Sequence, residues 1–205
     1  MSKPVKAYAG FDVSTKAIDL AVITAEGDQP EIIMFARCNL TQAEGQVERV
    51  QLAGIAAAEI MQLVCETTKA EVIAVAVEAP RGYGGPLLPI VGAVTGSIDL
   101  PVEWYAPSSW RKIIRAHDIA TFNDPLGDGS FYQTKDGARQ AVCRLFGHEF
   151  EDSLNGSITD DSWDAAGVAL AFRIETEAVN ADLKDVIEVQ GERLVADIEQ
   201  FLADQ

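Results

Sequence analysis

Four carboxylates in this chain sit where acidic side chains are costly. Asp12 lies near the end of a strand-like alternation, Val5–Val13, on the face opposite Phe11 and Val13. Strands disfavour aspartate, and burying its charge costs free energy unless something compensates. Alone, Asp12 reads equally well as a turn residue at a strand end, with Gly10, Ser14 and Thr15 around it. Glu78 closes an apolar run, Val72–Val77, which puts it at the carboxyl end of a buried central strand. Open α/β sheets gather ligands at that end. The following stretch, Pro80-Arg81-Gly82-Tyr83-Gly84-Gly85, carries glycines that permit close backbone approach. Asp161 and Asp164 stand three apart at the start of a helix and share one face. Asp160 and Asp161 also suit an ordinary helix N-terminus, whereas Asp164 lies one turn inside, in the stripe continued by Val168, Ala169 and Phe172.

Carboxylates brought together repel, and a divalent cation is the usual remedy. An all-oxygen donor set without His or Cys suits Mg²⁺ or Mn²⁺. Two such ions, about 3.5–4 Å apart, can activate a water and stabilise the leaving oxygen of a phosphodiester. The chemistry expected of Asp12, Glu78, Asp161 and Asp164 is therefore metal-assisted hydrolysis.

The elements that must position these groups follow from periodicity. Val5–Val13, Ala17–Thr24 and Glu31–Cys38 read as three strands, the last two joined by the turn Glu26–Pro30. Thr41 opens a long helix to about Thr67, with Glu44 completing a capping box. Glu71–Glu78 is the central strand, Leu87–Ile98 a short helix, Pro101–Ala106 a fifth strand and Ser108–His117 a helix. Residues 118–134 lack periodicity and read as a long functional loop. Lys135–Phe146, Asp160–Ile174 and a final stretch from about Asp182 to Leu202 read as helices. The fold class is mixed α/β: a five-stranded sheet flanked by helices, with residues 1–176 as the domain and 177–205 as an acidic helical extension.

Composition narrows the setting. A hydrophobic fraction of 48% and a charged fraction of 23% are those of a globular protein. Three scattered cysteines, Cys38, Cys65 and Cys143, argue against a disulfide framework or a zinc site. No signal-peptide pattern or apolar span stands out, so a cytoplasmic location is expected. The net charge of −16 opposes nucleic-acid binding, since phosphates demand positive surface. Its distribution softens that objection. Residues 149–205 hold 15 acids against 3 bases, while the first 148 residues hold 17 acids and 13 bases.

In GFDVSTKAIDLAVI, VIAVAVEAP, LPVEWYAPSSWRK and DDSWDAAGVALA the chain resembles the RuvC-type Holliday junction resolvases of the ribonuclease H-like superfamily. The pieces fall in that family's order over residues 5–172, and the D-x-x-D-A-x-x-x-A helix is the most specific. Small divergent forms of such enzymes are common in phage genomes. The resemblance implies a ribonuclease H-like fold and a homodimer that nicks branched DNA with Mg²⁺ held by Asp12, Glu78, Asp161 and Asp164. It also implies DNA contacts at Arg111, Lys112, Arg115, Lys135 and Arg139, with Arg81 beside the site, and a dimer contact near Leu87–Ile98. Ordinary solvated surface explains those basic residues about as well. Two other readings stand beside the nuclease. One is a ribonuclease H-fold module that binds DNA or a recombination or replication protein without cutting. The other is an actin-like ATPase or sugar kinase, disfavoured because the chain lacks a second G-x-D-x-[ST] strand.

Overall fold

A computed structural model describes residues 3–79, 85–148 and 158–203, with side chains through residue 185. Its centre is a five-stranded mixed sheet in the order β3-β2-β1-β4-β5. The strands are β1 (Val5–Val13), β2 (Ala17–Thr24), β3 (Ile32–Asn39), β4 (Ala70–Glu78) and β5 (Val102–Tyr105). β1, β2 and β3 form an antiparallel meander, while β4 runs parallel to β1 and β5 parallel to β4. The carboxyl ends of β1 and β4 therefore open on the same side of the sheet. The helices are α1 (Gln46–Thr68), α2 (Leu87–Gly96), α3 (Pro107–Phe122), α4 (Lys135–Leu145) and α5 (Asp160–Ala203).

The two faces of the sheet are built differently. Ala7, Ala9, Phe11 and Val13 of β1 join Ile18, Leu20 and Val22 of β2 in a core closed by Ala53, Ala57, Ile60 and Val64 of α1 and Ile90, Val91 and Val94 of α2. The opposite face of β1 carries Tyr8, Gly10 and Asp12, and α5 lies against it. The Tyr8 ring meets Phe172 edge-on, with centroids 4.9 Å apart. At Gly10 a side-chain methyl would overlap the carbonyl oxygen of Ala165 and lie 2.8 Å from the Ala169 backbone nitrogen. The run Ala165-Ala166-Gly167-Val168-Ala169 is buried throughout. Small residues on both partners are what allow this helix to approach the strand so closely.

An irregularity in β4 decides which way Glu78 points. Ala7 pairs with Val72 but Tyr8 pairs with Ala74, so β4 contains one extra residue, Ile73. Up to that point Ala70 and Val72 face the α1/α2 core, and beyond it Val75 and Val77 do. The bulge thus shifts Glu78 onto the face shared by Gly10 and Asp12.

Several boundaries differ from those read in the sequence. The capping box at Thr41 is not made: α1 begins at Gln46, its N-cap Gly45 has no side-chain cap, and the Glu48 carboxylate accepts the Glu44 amide at 2.8 Å. α3 continues five residues past His117 to Phe122, so the expected long loop is shorter and better tied. A 3₁₀ turn, Phe131–Gln133, buries Tyr132, whose hydroxyl donates to the buried Asp118 at 2.7 Å and accepts the Leu126 amide at 2.9 Å. Arg144 of α4 pairs with the same Asp118. The last two expected helices are one, because residues 175–181 contain no Gly or Pro to break it. The chain divides into a compact unit, Met1–Phe172, and a second unit, Arg173–Gln205. In the second, Arg173 and Glu177 pair along the helix at 2.7 Å. No described helix is long and apolar enough to cross a membrane.

Two glycines separate packing from propensity. Gly10→Ala should cost about 1–3 kcal/mol by overpacking α5 against β1. Gly92, in α2 with nothing within 4 Å of its missing Cβ, should gain up to about 1 kcal/mol as Gly92→Ala through helix propensity. Urea denaturation of the two variants checks both signs.

Candidate metal centre

Acidic side chains from β1, β4 and α5 converge at the carboxyl ends of β1 and β4. Asp12 and Asp19 are register partners across the β1–β2 ladder, and α5 brings Asp161 and Asp164 over them from its first two turns. One ligand atom each from Asp12, Asp161 and Asp164 lies within 4.8 Å of the others. Glu78 stands beside this trio rather than within it. Its Oε2 accepts the indole N–H of Trp110 at 2.8 Å. Trp110 is itself fully buried, with its ring edge where a side chain on Gly167 of α5 would go. α3 thus fixes Glu78 and α5 through one side chain.

The electrostatics are those of negative charge held together without full compensation. Burial pushes the Asp12 carboxyl well above its ordinary value, and the charges of Glu78, Asp164 and Asp161 push it further. Burial also raises Glu78, opposed by the Trp110 hydrogen bond and assisted by Asp164. Two cationic side chains answer. Lys135, at the start of α4, reaches Asp161 at 3.5 Å and Asp164 at 3.3 Å. Burial works against its ammonium, but Asp164, Asp161 and Asp12 outweigh that and raise its pKa. Arg139, one turn on, is 3% exposed and grips Asp164 at 3.3 Å and Asp160 at 2.8 Å. The donor set fits a hard divalent cation: clustered carboxylate oxygens, one raised in pKa by burial and by its acidic neighbours, and no sulfur or imidazole among them.

The residues expected to meet DNA separate into different environments. Lys112 is exposed, and Arg115 is half-buried over the Tyr132 ring. Arg111 is buried, donates to the Gln133 carbonyl at 3.0 Å and stacks on Trp110. Arg139 is buried in its ion pairs. Both guanidiniums are thus turned to partners inside the domain, Arg139 to acids and Arg111 to a carbonyl and an indole, rather than spread over its surface. Lys135 is half exposed and already bridges two acids. Arg81 lies outside the described residues. A cleft of about 490 Å³ runs beside Glu78, lined by Val13, Ala79, Leu87, Pro107, Arg111 and Lys135.

Sequence reasoning passed over Asp19, Arg37 and Trp110. Asp19 carried the same signal as Asp12, a carboxylate inside an otherwise apolar strand, AIDLAVIT. Trp110 carried none, since an indole in an amphipathic helix is ordinary core.

With this geometry in view, solved structures show where the architecture recurs. Thermus thermophilus RuvC matches with a TM-score of 0.57 at 19% identity, over 84% of this chain and 96% of that one. The fold is that of RuvC. The structure titled T. thermophilus RuvC in complex with Holliday junction substrate gives a TM-score of 0.58 at 18% identity, with the same coverage. The yeast mitochondrial Holliday junction resolvase gives 0.50 at 12% identity, over 85% of this chain and 80% of that one. No family model and no curated protein matches the sequence. The RuvC-like, ribonuclease H-like fold is thus carried by shape, with few identities beneath it.

The raised carboxyls set the pH dependence of the metal-free protein. An acid whose folded pKa lies above its unfolded one binds more protons when folded, so its contribution falls as pH rises through that interval. Asp12→Asn keeps the shape and cannot ionise. It should raise the metal-free Tm relative to the parent at pH 7 and leave the two nearly equal near pH 4. Paired thermal melts in chelator at both pH values read this difference.

Proposed function

We propose that this protein is a metal-dependent, structure-selective DNA endonuclease that cuts branched DNA such as four-way junctions. The observation that carries the reading is the gathering of Asp12, Asp161 and Asp164 within 4.8 Å, with Glu78 alongside, at the carboxyl end of a RuvC-like sheet. Asp12, Glu78, Asp161 and Asp164 would hold Mg²⁺ or Mn²⁺, with two ions as the expected load. Such ions supply Lewis-acid stabilisation of a phosphodiester and a more acidic water.

The remaining work belongs to the chain. Trp110 holds the Glu78 carboxylate toward the cleft, and Arg139 holds Asp164 while neutralising part of its charge. Lys135, half exposed at the mouth, is the cation best placed to meet a phosphate once the acids it bridges are otherwise satisfied. Lys112 and Arg115, three residues apart on one face of α3, are the further candidates for phosphate contact. Water attacks the phosphorus in line, and the ends produced are a 5′-phosphate and a 3′-hydroxyl. Resolving a four-way junction takes two nicks, which motivates a homodimer with one centre for each strand.

A second reading is favoured by the charge balance. The net charge is −16, and two of the six basic candidates are consumed inside the domain. On that reading the protein binds DNA, or a recombination or replication protein, without cutting it.

The two readings part in a cleavage assay with a labelled four-way junction and Mg²⁺. Asp12→Asn and Asp164→Asn should each lower the rate by more than about a hundredfold, beyond the usual cost of losing an outer-shell partner. Wild-type rates in either variant would remove the assignment. Calorimetric titration of the folded parent with Mn²⁺ that shows no binding would favour the non-cutting module. Weak, steeply salt-dependent junction binding is expected because so little free positive charge remains.

A further inference from the structure

Asp19 plays no part in the reading above, yet it is among the most fully buried charges in the protein, at 1% exposure. Its strand neighbours are all buried, and all but Thr24 are apolar. Burying a carboxylate there is costly, and an apolar residue of similar size would ordinarily serve stability as well or better. Its hydrogen bonds show where that cost is directed. Asp19 Oδ1 accepts from Thr159 Oγ1 at 3.0 Å and from Ser162 Oγ at 3.1 Å. Arg37, from the neighbouring strand β3, donates to both Asp19 oxygens at 3.1 and 3.0 Å.

Thr159 and Ser162 are the residues that start α5. The Thr159 hydroxyl accepts the Ser162 amide at 3.2 Å, and the Ser162 hydroxyl accepts the Thr159 amide at 3.2 Å. Asp19 therefore grips a reciprocal cap on the helix that carries Asp161 and Asp164. Arg37 extends the grip, because the same Nη1 that meets Asp19 donates to Thr159 Oγ1 at 3.0 Å and lies 3.6 Å from Asp161 Oδ2. Asp12 stands directly across the ladder from Asp19. One carboxylate on β2 thus ties the α5 terminus to the strand next to Asp12.

We infer that Asp19, bridged by Arg37, is a positioning residue for the carboxylate centre. It sets where Asp161 sits relative to Asp12, and it holds the Arg37 guanidinium back from pairing fully with Asp161. The inference rests on the metal-binding reading of Asp12, Asp161 and Asp164. A purely structural anchor would cost stability in proportion to lost hydrogen bonds and leave metal affinity unchanged in the protein that remains folded.

The test is Mn²⁺ binding by calorimetry, with far-UV circular dichroism confirming the folded state, on the full chain. The variants are Asp19→Ala, Asp19→Asn, Asp12→Asn, Asp161→Asn and the Asp19→Ala/Asp161→Asn double. Asp19→Ala should weaken Mn²⁺ binding by about 10–100-fold, the usual range for an outer-shell partner. Asp19→Asn keeps an acceptor for Thr159 and Ser162 but loses the charge for Arg37, so its loss should be smaller. If Asp19 acts through Asp161, the double variant should bind no more weakly than Asp161→Asn alone. Folded Asp19→Ala with wild-type affinity, or losses that multiply in the double, would overturn the inference while leaving the centre intact. Should Asp19→Ala not fold, Asp19→Asn with wild-type affinity overturns it equally. A parent that binds no Mn²⁺, or Asp12→Asn that binds like the parent, would instead overturn the centre and the inference with it.

Discussion

A helix can lie directly on a strand only where neither surface carries bulk, and the contact of α5 with β1 at Gly10 meets that condition. Any side chain there would collide with the Ala165 carbonyl. Two residues along the same face of β1 is Asp12, and one residue before Ala165 on the helix is Asp164. The distance between these carboxylates is therefore a by-product of backbone packing rather than of side-chain reach. That makes their mutual repulsion hard to relieve by movement, because separating them means lifting the helix from the sheet. The protein instead surrounds the charges with Lys135, Arg139 and the Trp110 indole, which answer the acids from three directions without enclosing them.

This arrangement explains why the basic residues do not behave as a surface patch. An acidic centre built by close packing draws cations inward. Arg139 on α4 is buried with its charge on Asp160 and Asp164, and Arg111 on α3 is buried beside Trp110. Of the basic candidates among the described residues, that leaves Lys112 and Arg115, and Lys135 in so far as the acids it bridges release it, to meet a polyanion.

The sheet and most of its helices were legible in the sequence because each strand alternated or ran apolar in its own register. β2 matches its expected bounds at both ends, and β1 does likewise. Asp12, Glu78 and Asp164 stood out for one physical reason, that a charge in an apolar frame demands compensation. What was not legible were the relations between elements. The buried roles of Arg111 and Arg139 depend on which acids face them, which no spacing reveals. The Trp110 contact with Glu78 joins residues 32 apart. Thr41 and Glu44 matched a capping pattern, but the helix starts later, with Glu48 reaching back instead. The continuity of α5 through residue 181 hid behind a lapse in amphipathic rhythm, which reports on burial and not on whether the backbone stays helical.

The bulge at Ile73 gives β4 an unusual dependence on counting. Over the apolar stretch Val72–Val77 either parity offers the core an aliphatic side chain, so packing alone barely fixes which face turns inward. The strand's last residue has no such freedom. Were its nine residues paired one for one with β1 from Ala7↔Val72 onward, the strand would pack as comfortably but set Glu78 opposite Val13, on the α1/α2 side and out of reach of Asp12. The centre's fourth acid is placed by the strand bulging out a single surplus residue rather than pairing it, so a slip of register there would act on the chemistry while sparing the architecture.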